Sequence, residues 1–454
     1  MPISFRDPSG QVSDDGEQIV RQVHPAARAE AEALLNSSLY AELTTSGALI
    51  PASEVEPEPQ GGLRLTHPRI ELPSYPFEWT ASMLADAARL TLDIQAKAHA
   101  VGWTLKDASA SNVLFDGSRP RFCDLLSLRP RSANEMGWVA YGQFVRHFVL
   151  PLLALSTQGR TPREIFLAQR DGLRANELAP YLPWHRYQGL SSWLHVRWPA
   201  RLEARRIARP QGATAPKRAG GADAVPWLLG DLRRYIDKLE RAVAGKTAWS
   251  GYTTNRDHYV DEGLAAKRQT VQDALSARPV RHVLDVGANT GEFSMMGIAA
   301  GAKVVAIDDD INALDQLHQQ ARREHLPVQC LHVNLARPTP ATGWNLGETL
   351  DLPRRLRGRF DFVLMLAVVH HLCVTERLPL GQLFESLADL CTGTLLIEFV
   401  ARDDPRFIEI AGANLALYSE WNLPNFLQAA APWFTLVDES PVSDHRRLLR
   451  LQRR

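Results

Sequence analysis

From Val280 onward, short β-branched runs alternate with amphipathic stretches. "HVLDVGA" reads as a strand and "GEFSMMGIAA" as a helix stopped by Gly301. "KVVAID" is the next strand and "INALDQLHQQARREH" the next helix. "VQCLHVN", "FDFVLMLA" and "TLLIEFV" are further strands with helical material between them. Alternation of this kind predicts an α/β domain, a parallel doubly wound sheet with helices on both faces. The terminal "WFTLVDESPVSDHRRLLRLQRR" reads as two strands around a turn, which adds an antiparallel edge.

The first half follows another pattern. "FRDPSGQVSDDGEQIVRQV" predicts two short strands around the Asp15-Gly16 turn. "AARAEAEALLNSSLYAEL" and "MLADAARLTLDIQAKAHAVG" have helical periodicity, and Phe144 to Arg206 reads mostly as helix interrupted by proline. This half is therefore expected to be an α+β domain. "RRIARPQGATAPKRAGGADAVPW", Arg205 to Trp227, is rich in Gly, Pro, Ala and basic residues and has no apolar period. It predicts a flexible tether over 206–225, between a first domain at 1–205 and a second at 226–454. On this reading the second domain opens with a helix in which Leu228, Leu232, Ile236, Leu239 and Val243 recur at helical spacing.

The 454 residues are 45% hydrophobic and 22% charged, enough apolar material for two packed cores. Lys plus Arg and Asp plus Glu number 51 each, so no global field draws the chain to nucleic acid or an anionic membrane. Neither partner is expected. Cys123, Cys330, Cys373 and Cys391 form no CxxC pair, which argues against a zinc ribbon and for reduced thiols. The polar start, "MPISFRDPSGQV", lacks a signal core, and "FVLPLLAL" is too short to span a bilayer. A cytoplasmic protein is the expectation.

The chemistry of the second half centres on "VLDVGANTGEFS", where the first strand turns into the first helix. Gly287 and Gly291 are expected to let the backbone approach a ligand closely. Asp308 ends the next strand, twenty-one residues after Gly287, a spacing that suits a carboxylate accepting from two ribose hydroxyls. The pattern Asp285-x-Gly287-x-Asn289-x-Gly291 resembles the first motif of class I S-adenosylmethionine-dependent methyltransferases, over about Ser250 to Arg454. The resemblance implies a Rossmann-like fold and S-adenosylmethionine as cofactor. It places Asp285 and the Gly287–Gly291 loop around the methionine part, Asp308 at the ribose and Asn334 near adenine. Asn289 stands where a glycine is frequent, and Asn is the residue that best tolerates a left-handed backbone.

The same resemblance puts His370 and His371, after "FDFVLML", beside the transferred methyl. Either is a candidate base for a hydroxyl or amine proton. Adjacent helical residues point about 100° apart, so at most one of the pair meets the acceptor. Methyl transfer has an excellent leaving group, and proximity alone is the alternative to a base. Tyr252 and Tyr259 are candidate aromatic covers for the cationic sulfonium. Glu398 is either a pocket residue or a solvated strand end. No ligand cluster for zinc is visible, and no metal is expected.

In the first half, "LKDASASNVLFDGSRPRFCDLLSL" resembles the catalytic and metal-binding loops of protein-kinase-like enzymes. Asp107 matches the base, and Asn112 and Asp124 match metal ligands. Arg21, with Glu30 or Glu32, stands where that family has a Lys–Glu pair. "CDLL" lacks the family's glycine, and no Gly-rich phosphate loop precedes Arg21. The expectation is a kinase-like domain that has lost phosphotransfer, with ATP or partner binding left open. "TLKDASASNVLF" together with "WSGY", "RRLRGRFDFVLMLAVVHHL" and "IEFVARDDP" resembles the nodulation protein NoeA-like methyltransferases across nearly the whole chain. That implies methyl transfer in tailoring a saccharide or another secreted metabolite and does not fix the acceptor; transfer at oxygen to a small-molecule or carrier-linked acceptor is the expectation here. A bifunctional kinase–methyltransferase and a cofactor-holding scaffold are the competing readings. RNA methylation is disfavoured by the balanced charge.

Overall fold

The computed structural model describes residues 2–16, 18–182, 189–201, 223–244 and 261–454. The chain divides into two compact units, Met1–Thr247 with Ala341–Thr349, and Ala248–Pro340 with Leu350–Arg454.

The first unit opens with a five-stranded antiparallel sheet in the order β1-β2-β3-β5-β4. Its strands are β1 (Pro2–Ser4), β2 (Gly10–Asp14), β3 (Ile19–Val23), β4 (Glu54–Pro57) and β5 (Leu63–His67). The β2–β3 turn forms where the Asp-Gly signal places it. Gly16 takes φ +98° and its N–H donates to Asp14 Oδ1 at 2.8 Å. Helices α1 (Arg28–Leu35) and α2 (Ser38–Thr45) lie between β3 and β4. The long α3 (Ala81–Ala100) starts at Thr80, whose hydroxyl accepts from Met83 N, and it is followed by the short strands β6 (Trp103–Leu105), β7 (Val113–Asp116), β8 (Arg119–Phe122) and β9 (Leu128–Pro130). Helix α4 (Leu150–Gln158) is apolar all round and buried. A small antiparallel sheet followed by a helical body is the protein-kinase-like arrangement.

Helix α5 (Val225–Ala244) packs on α3 and α4 and so belongs to the first unit. This corrects the expectation that the second domain begins at 226. Leu229, Leu232, Ile236, Leu239 and Val243 are buried, and Arg89 of α3 donates to Asp237 at 2.9 Å and to Glu240. An apolar stripe shows that a helix has a partner but not which side of a tether supplies it. Most of the tether proposed over 206–225 lies outside the described residues, which resume at 223.

The second unit holds a seven-stranded sheet in the order β12-β11-β10-β13-β14-β16-β15. The strands are β10 (His282–Val286), β11 (Lys303–Asp308), β12 (Val328–His332), β13 (Phe360–Met365), β14 (Cys391–Val400), β15 (Phe434–Ser443) and β16 (Arg446–Arg453). The first five are parallel, and β16 pairs antiparallel with both β14 and β15. This is the class I methyltransferase fold with its antiparallel edge. Val283, Leu284, Val304, Phe362, Val363, Leu395 and Leu396 are buried without alternation because helices cover both faces. Those helices include α6 (Asp261–Ser276), α7 (Glu292–Ala299), α8 (Ile311–Glu324), α9 (Leu380–Leu390), α10 (Pro405–Ala411) and α11 (Leu423–Ala430). Asp310 caps α8 by accepting from Asn312 N and Ala313 N, and His325 ends it at φ +55°. All four cysteines are free thiols, and no helix among the described residues is long and apolar enough to cross a membrane.

Candidate cofactor and acceptor site

The carboxyl edge of the second sheet gathers most of the residues singled out from the sequence. β10 ends in a turn in which Gly287, Asn289 and Gly291 take φ of +73°, +50° and +87°. Asn289 thus adopts the left-handed backbone its side chain tolerates. Gly287 N and Ala288 N both donate to Ile307 O, at 2.9 and 3.2 Å, which ties the turn to β11. A Cβ on Gly287 would lie 2.3 Å from Val368 Cγ2, and one on Gly291 would lie 2.3 Å from Leu317 Cδ1. The space beside each glycine is taken by the chain itself. Positive φ and tight packing are a second reason for glycine at both positions, beside the close approach to a ligand expected from the sequence.

Asp308 is half-buried at the end of β11. Its Oδ2 accepts from Asn289 N at 2.7 Å and its Oδ1 from Asp310 N at 2.8 Å. Each oxygen holds one backbone N–H and, when ionised, has a further lone pair. Burial, opposed by those two hydrogen bonds, raises its pKa. Asp285 is 2% exposed, and Ser294 Oγ donates to its Oδ2 at 2.6 Å. It lies beneath the turn, where burial pushes its carboxyl up to about 6. Asn334 is held in a network of its own. Its Oδ1 accepts from Ala336 N at 2.8 Å, and its Nδ2 donates to Asp309 at 3.0 Å and Glu376 at 3.2 Å. Arg337 donates to Glu376 at 2.9 Å. Tyr252 and Tyr259 fall outside the described residues.

Glu398 is fully buried, so the solvated-strand-end reading is set aside. Lys267 of α6 donates to its Oε2 at 2.5 Å, and Arg446 Nη1 lies 3.7 Å from its Oε1. Arg446 in turn donates to Asp404 from Nε at 2.7 Å and Nη2 at 3.1 Å. Lys267 and Arg446 carry no local sequence signal, because each finds its partner far along the chain, whereas Asp404 also caps α10 by accepting from Arg406 N at 2.8 Å.

Beyond β13 the backbone passes through Ala367 at φ +57°, a rare conformation for a residue with a side chain, and then reaches the two histidines. Their rings lie 4.4 Å apart. His370 is 1% exposed, and neither ring nitrogen has a hydrogen-bond partner among the described residues. Burial, reinforced by His371 and Arg446, pushes it down to about 3. His371 is half-buried, and burial followed by Arg406 and Arg446 lowers it too. The structure therefore separates the pair into one packed and one partly accessible imidazole.

A pH effect on stability follows. Between pH 6.5 and 3 the unfolded chain protonates His370 and the native chain does not, so stability falls as pH drops through that window. About 3 kcal/mol is expected to be lost by pH 4 from this residue. Denaturant unfolding of the His370→Phe variant at pH 7 and pH 4 checks this. An unchanged pH slope in the variant would contradict it.

In the first unit, Asp107, Asn112 and Asp124 converge. Asp107 Oδ1 accepts from Ser109 N at 2.8 Å, and burial, with Asp124 nearby, raises its pKa. Asn112 Nδ2 donates to Ser127 Oγ at 3.3 Å, and that hydroxyl donates to Asp124 Oδ2. Arg21 Nη1 donates to Asp124 Oδ1, and its Nη2 to Cys123 O, both at 2.8 Å. The expected pairing of Arg21 with Glu30 or Glu32 is not formed. Glu32 instead accepts from Arg28 at 2.8 Å. No group of three or more His, Cys, Asp or Glu suited to a metal occurs among the described residues.

The chain is 29% identical over 455 residues to nodulation protein NoeA of Rhizobium meliloti (strain 1021). That similarity covers 98% of this chain and 94% of NoeA, in agreement with the resemblance carried by the motifs. No protein-family model matches the chain. Among solved structures, WbdD, described as a bifunctional kinase-methyltransferase, is similar at 21% identity and a TM-score of 0.31. The match covers 46% of this chain and 42% of WbdD, less than half of that protein. The N-methyltransferase NodS of Bradyrhizobium japonicum WM9, in complex with S-adenosyl-L-homocysteine, is similar at 12% identity and a TM-score of 0.31, over 44% of this chain and 97% of NodS.

Proposed function

We propose that the second unit is an S-adenosylmethionine-dependent methyltransferase that methylates a small-molecule or carrier-linked acceptor, of the saccharide kind, at oxygen. One observation carries the reading. At the carboxyl edge of a class I sheet, the glycine turn after β10 is hydrogen-bonded to a half-buried Asp308 at the end of β11. The residues present fit the cofactor. Asp308 has the lone pairs to accept two ribose hydroxyls, and Asp285, Lys267 and Glu398 supply charges of both signs beneath the turn. Asn334 and its network stand at the end of β12, on the adenine side. The cofactor, when bound, supplies the electrophilic methyl.

His371 is the better placed candidate base, since His370 is sealed and held neutral. The test is incubation of the full chain with methyl-labelled S-adenosylmethionine and extract of the host cell, followed by fractionation. Label is expected in small molecules or a carrier, with His371→Ala lowering transfer while cofactor affinity stays the same. Tight cofactor binding without transfer would favour the scaffold reading instead, and label in RNA would overturn the acceptor class.

We read the first unit as kinase-like in fold and without phosphotransfer. Arg21 and Ser127 engage both oxygens of Asp124, the carboxylate that would need to meet Mg²⁺. ATP turnover that disappears in Asp124→Ala would reverse this reading in favour of a bifunctional enzyme.

A further inference from the structure

Where the chain leaves β14 it folds back as α10, a 3-10 helical stretch at Gly412–Tyr418, and then α11. Two aromatic side chains of this return pack on Phe407 of α10, Tyr418 edge-on at 5.7 Å and Trp421 at 5.3 Å. Their polar tips are tied down. Tyr418 Oη donates to Val374 O at 3.4 Å, in the turn that carries His371. Trp421 Nε1 donates to Val400 O at 2.8 Å, at the end of β14. Ring carbon is therefore what the two side chains offer to a ligand. Beside them lies a cavity of about 210 Å³, lined by Leu417, Tyr418, Trp421 and Phe426, with Glu420 and Asn425 among its polar members.

The polar groups are held in place. Asn425 Nδ2 donates to Glu420 O at 2.9 Å and to its Oε2 at 3.3 Å, while Asn425 N donates to Asn422 Oδ1 at 2.9 Å in the cap of α11. Glu420 is exposed, and its Oε1 makes no hydrogen bond among the described residues. An apolar floor with a carboxylate and an amide at its edge matches a pyranose, whose faces are C–H and whose rim is hydroxyl. Glu420 has lone pairs for sugar hydroxyls, and Asn425 Oδ1 is a further acceptor. The volume lies below the about 300–1,000 Å³ of pockets that enclose drug-sized molecules, so it suits one ring and not an extended chain. A quaternary ammonium also settles on aromatic rings. It needs open ring faces, whereas Trp421 is stacked on Phe399 at an interplanar angle of 15°, and it would leave the amide unused.

Resting on the proposed transfer to a saccharide, we infer that this cavity is a pyranose subsite. It holds one sugar ring of the acceptor against Tyr418 and Trp421, with Glu420 accepting from the ring's hydroxyls. Through Val374 its floor is joined to the turn that carries His371, and through Val400 to the carboxyl edge of the sheet. It thereby selects acceptors that carry a further ring beyond the one that is methylated. Glu420 is the specificity-determining residue, and Asn425 positions its carboxylate.

The experiment is saturation-transfer NMR on the full chain with the methyl pyranosides of glucose, galactose, mannose and N-acetylglucosamine, and with tetramethylammonium as the competing probe. At least one pyranoside is expected to bind the wild type weakly and saturably, with saturation strongest at its ring C–H protons. Glu420→Ala is expected to weaken that binding about 10-fold or more, the scale of a hydrogen bond to a charged group, while affinity for S-adenosylhomocysteine stays the same. The comparison of probes on the wild type stands even if the variant fails to fold. Absence of binding by all four pyranosides would overturn the inference, as would tighter binding of tetramethylammonium or a Glu420→Ala variant with wild-type pyranoside affinity. Pyranoside binding by a chain that takes no S-adenosylhomocysteine would keep the sugar site and remove the methyl-transfer reading instead.

Discussion

Asp308→Ala is expected to lower affinity for S-adenosylhomocysteine at least about 100-fold. Two hydrogen bonds to a charged carboxylate are worth about 1.5–3 kcal/mol each, and the substitution removes both. It also releases Asn289 N and Asp310 N, which the two oxygens hold at 2.7 and 2.8 Å, so the turn and the start of α8 lose a shared anchor. Asp308→Asn keeps the shape and a single acceptor oxygen. It is expected to preserve folding, seen by denaturant unfolding, yet to recover only part of the affinity. Calorimetry on both variants checks this. Wild-type affinity in Asp308→Ala would mean that the sugar is held elsewhere.

Gly287→Val is expected to abolish cofactor binding and to destabilise the second unit by about 3 kcal/mol or more. Two costs act together. A β-branched residue at φ +73° is strained by about 1–3 kcal/mol, and its Cβ would sit 2.3 Å from Val368 Cγ2, an overpacking cost of similar size. Pairing Gly287→Ala with Val368→Ala separates the two, because the second change removes the clash and leaves the backbone strain. Partial recovery of stability is expected in the double variant over Gly287→Ala alone. A Gly287→Val protein with wild-type stability and affinity would show that the turn is placed wrongly.

Much of the second unit was legible because its signals are local. Strands buried on both faces read as unbroken apolar runs, and the run Ile311–His325 read as a helix is α8 to within one residue. The glycine turn, the left-handed Asn289 and the strand-end Asp308 all belong to one short stretch of pattern. What the sequence did not disclose depends on distance along the chain. Lys267 and Glu398 are 131 residues apart, and Arg21 and Asp124 are 103 apart. Periodicity says nothing about such pairs. The histidines fail for the opposite reason. Two identical neighbours give one signal, and only packing decides that His370 is sealed while His371 is not. The allegiance of α5 was hidden as well, since Asp237 and Glu240 look like ordinary surface acids until Arg89 is opposite them.

That allegiance bears on how the protein can be divided. Cutting the chain before 226 would strip α3 and α4 of the helix that covers them, and would burden the other piece with a greasy, partnerless appendage prone to self-association. A cut after Ala244, where α5 ends, would keep that helix with α3 and α4. Ala341–Thr349 still belongs to the first unit, so no single cut parts the two interiors cleanly.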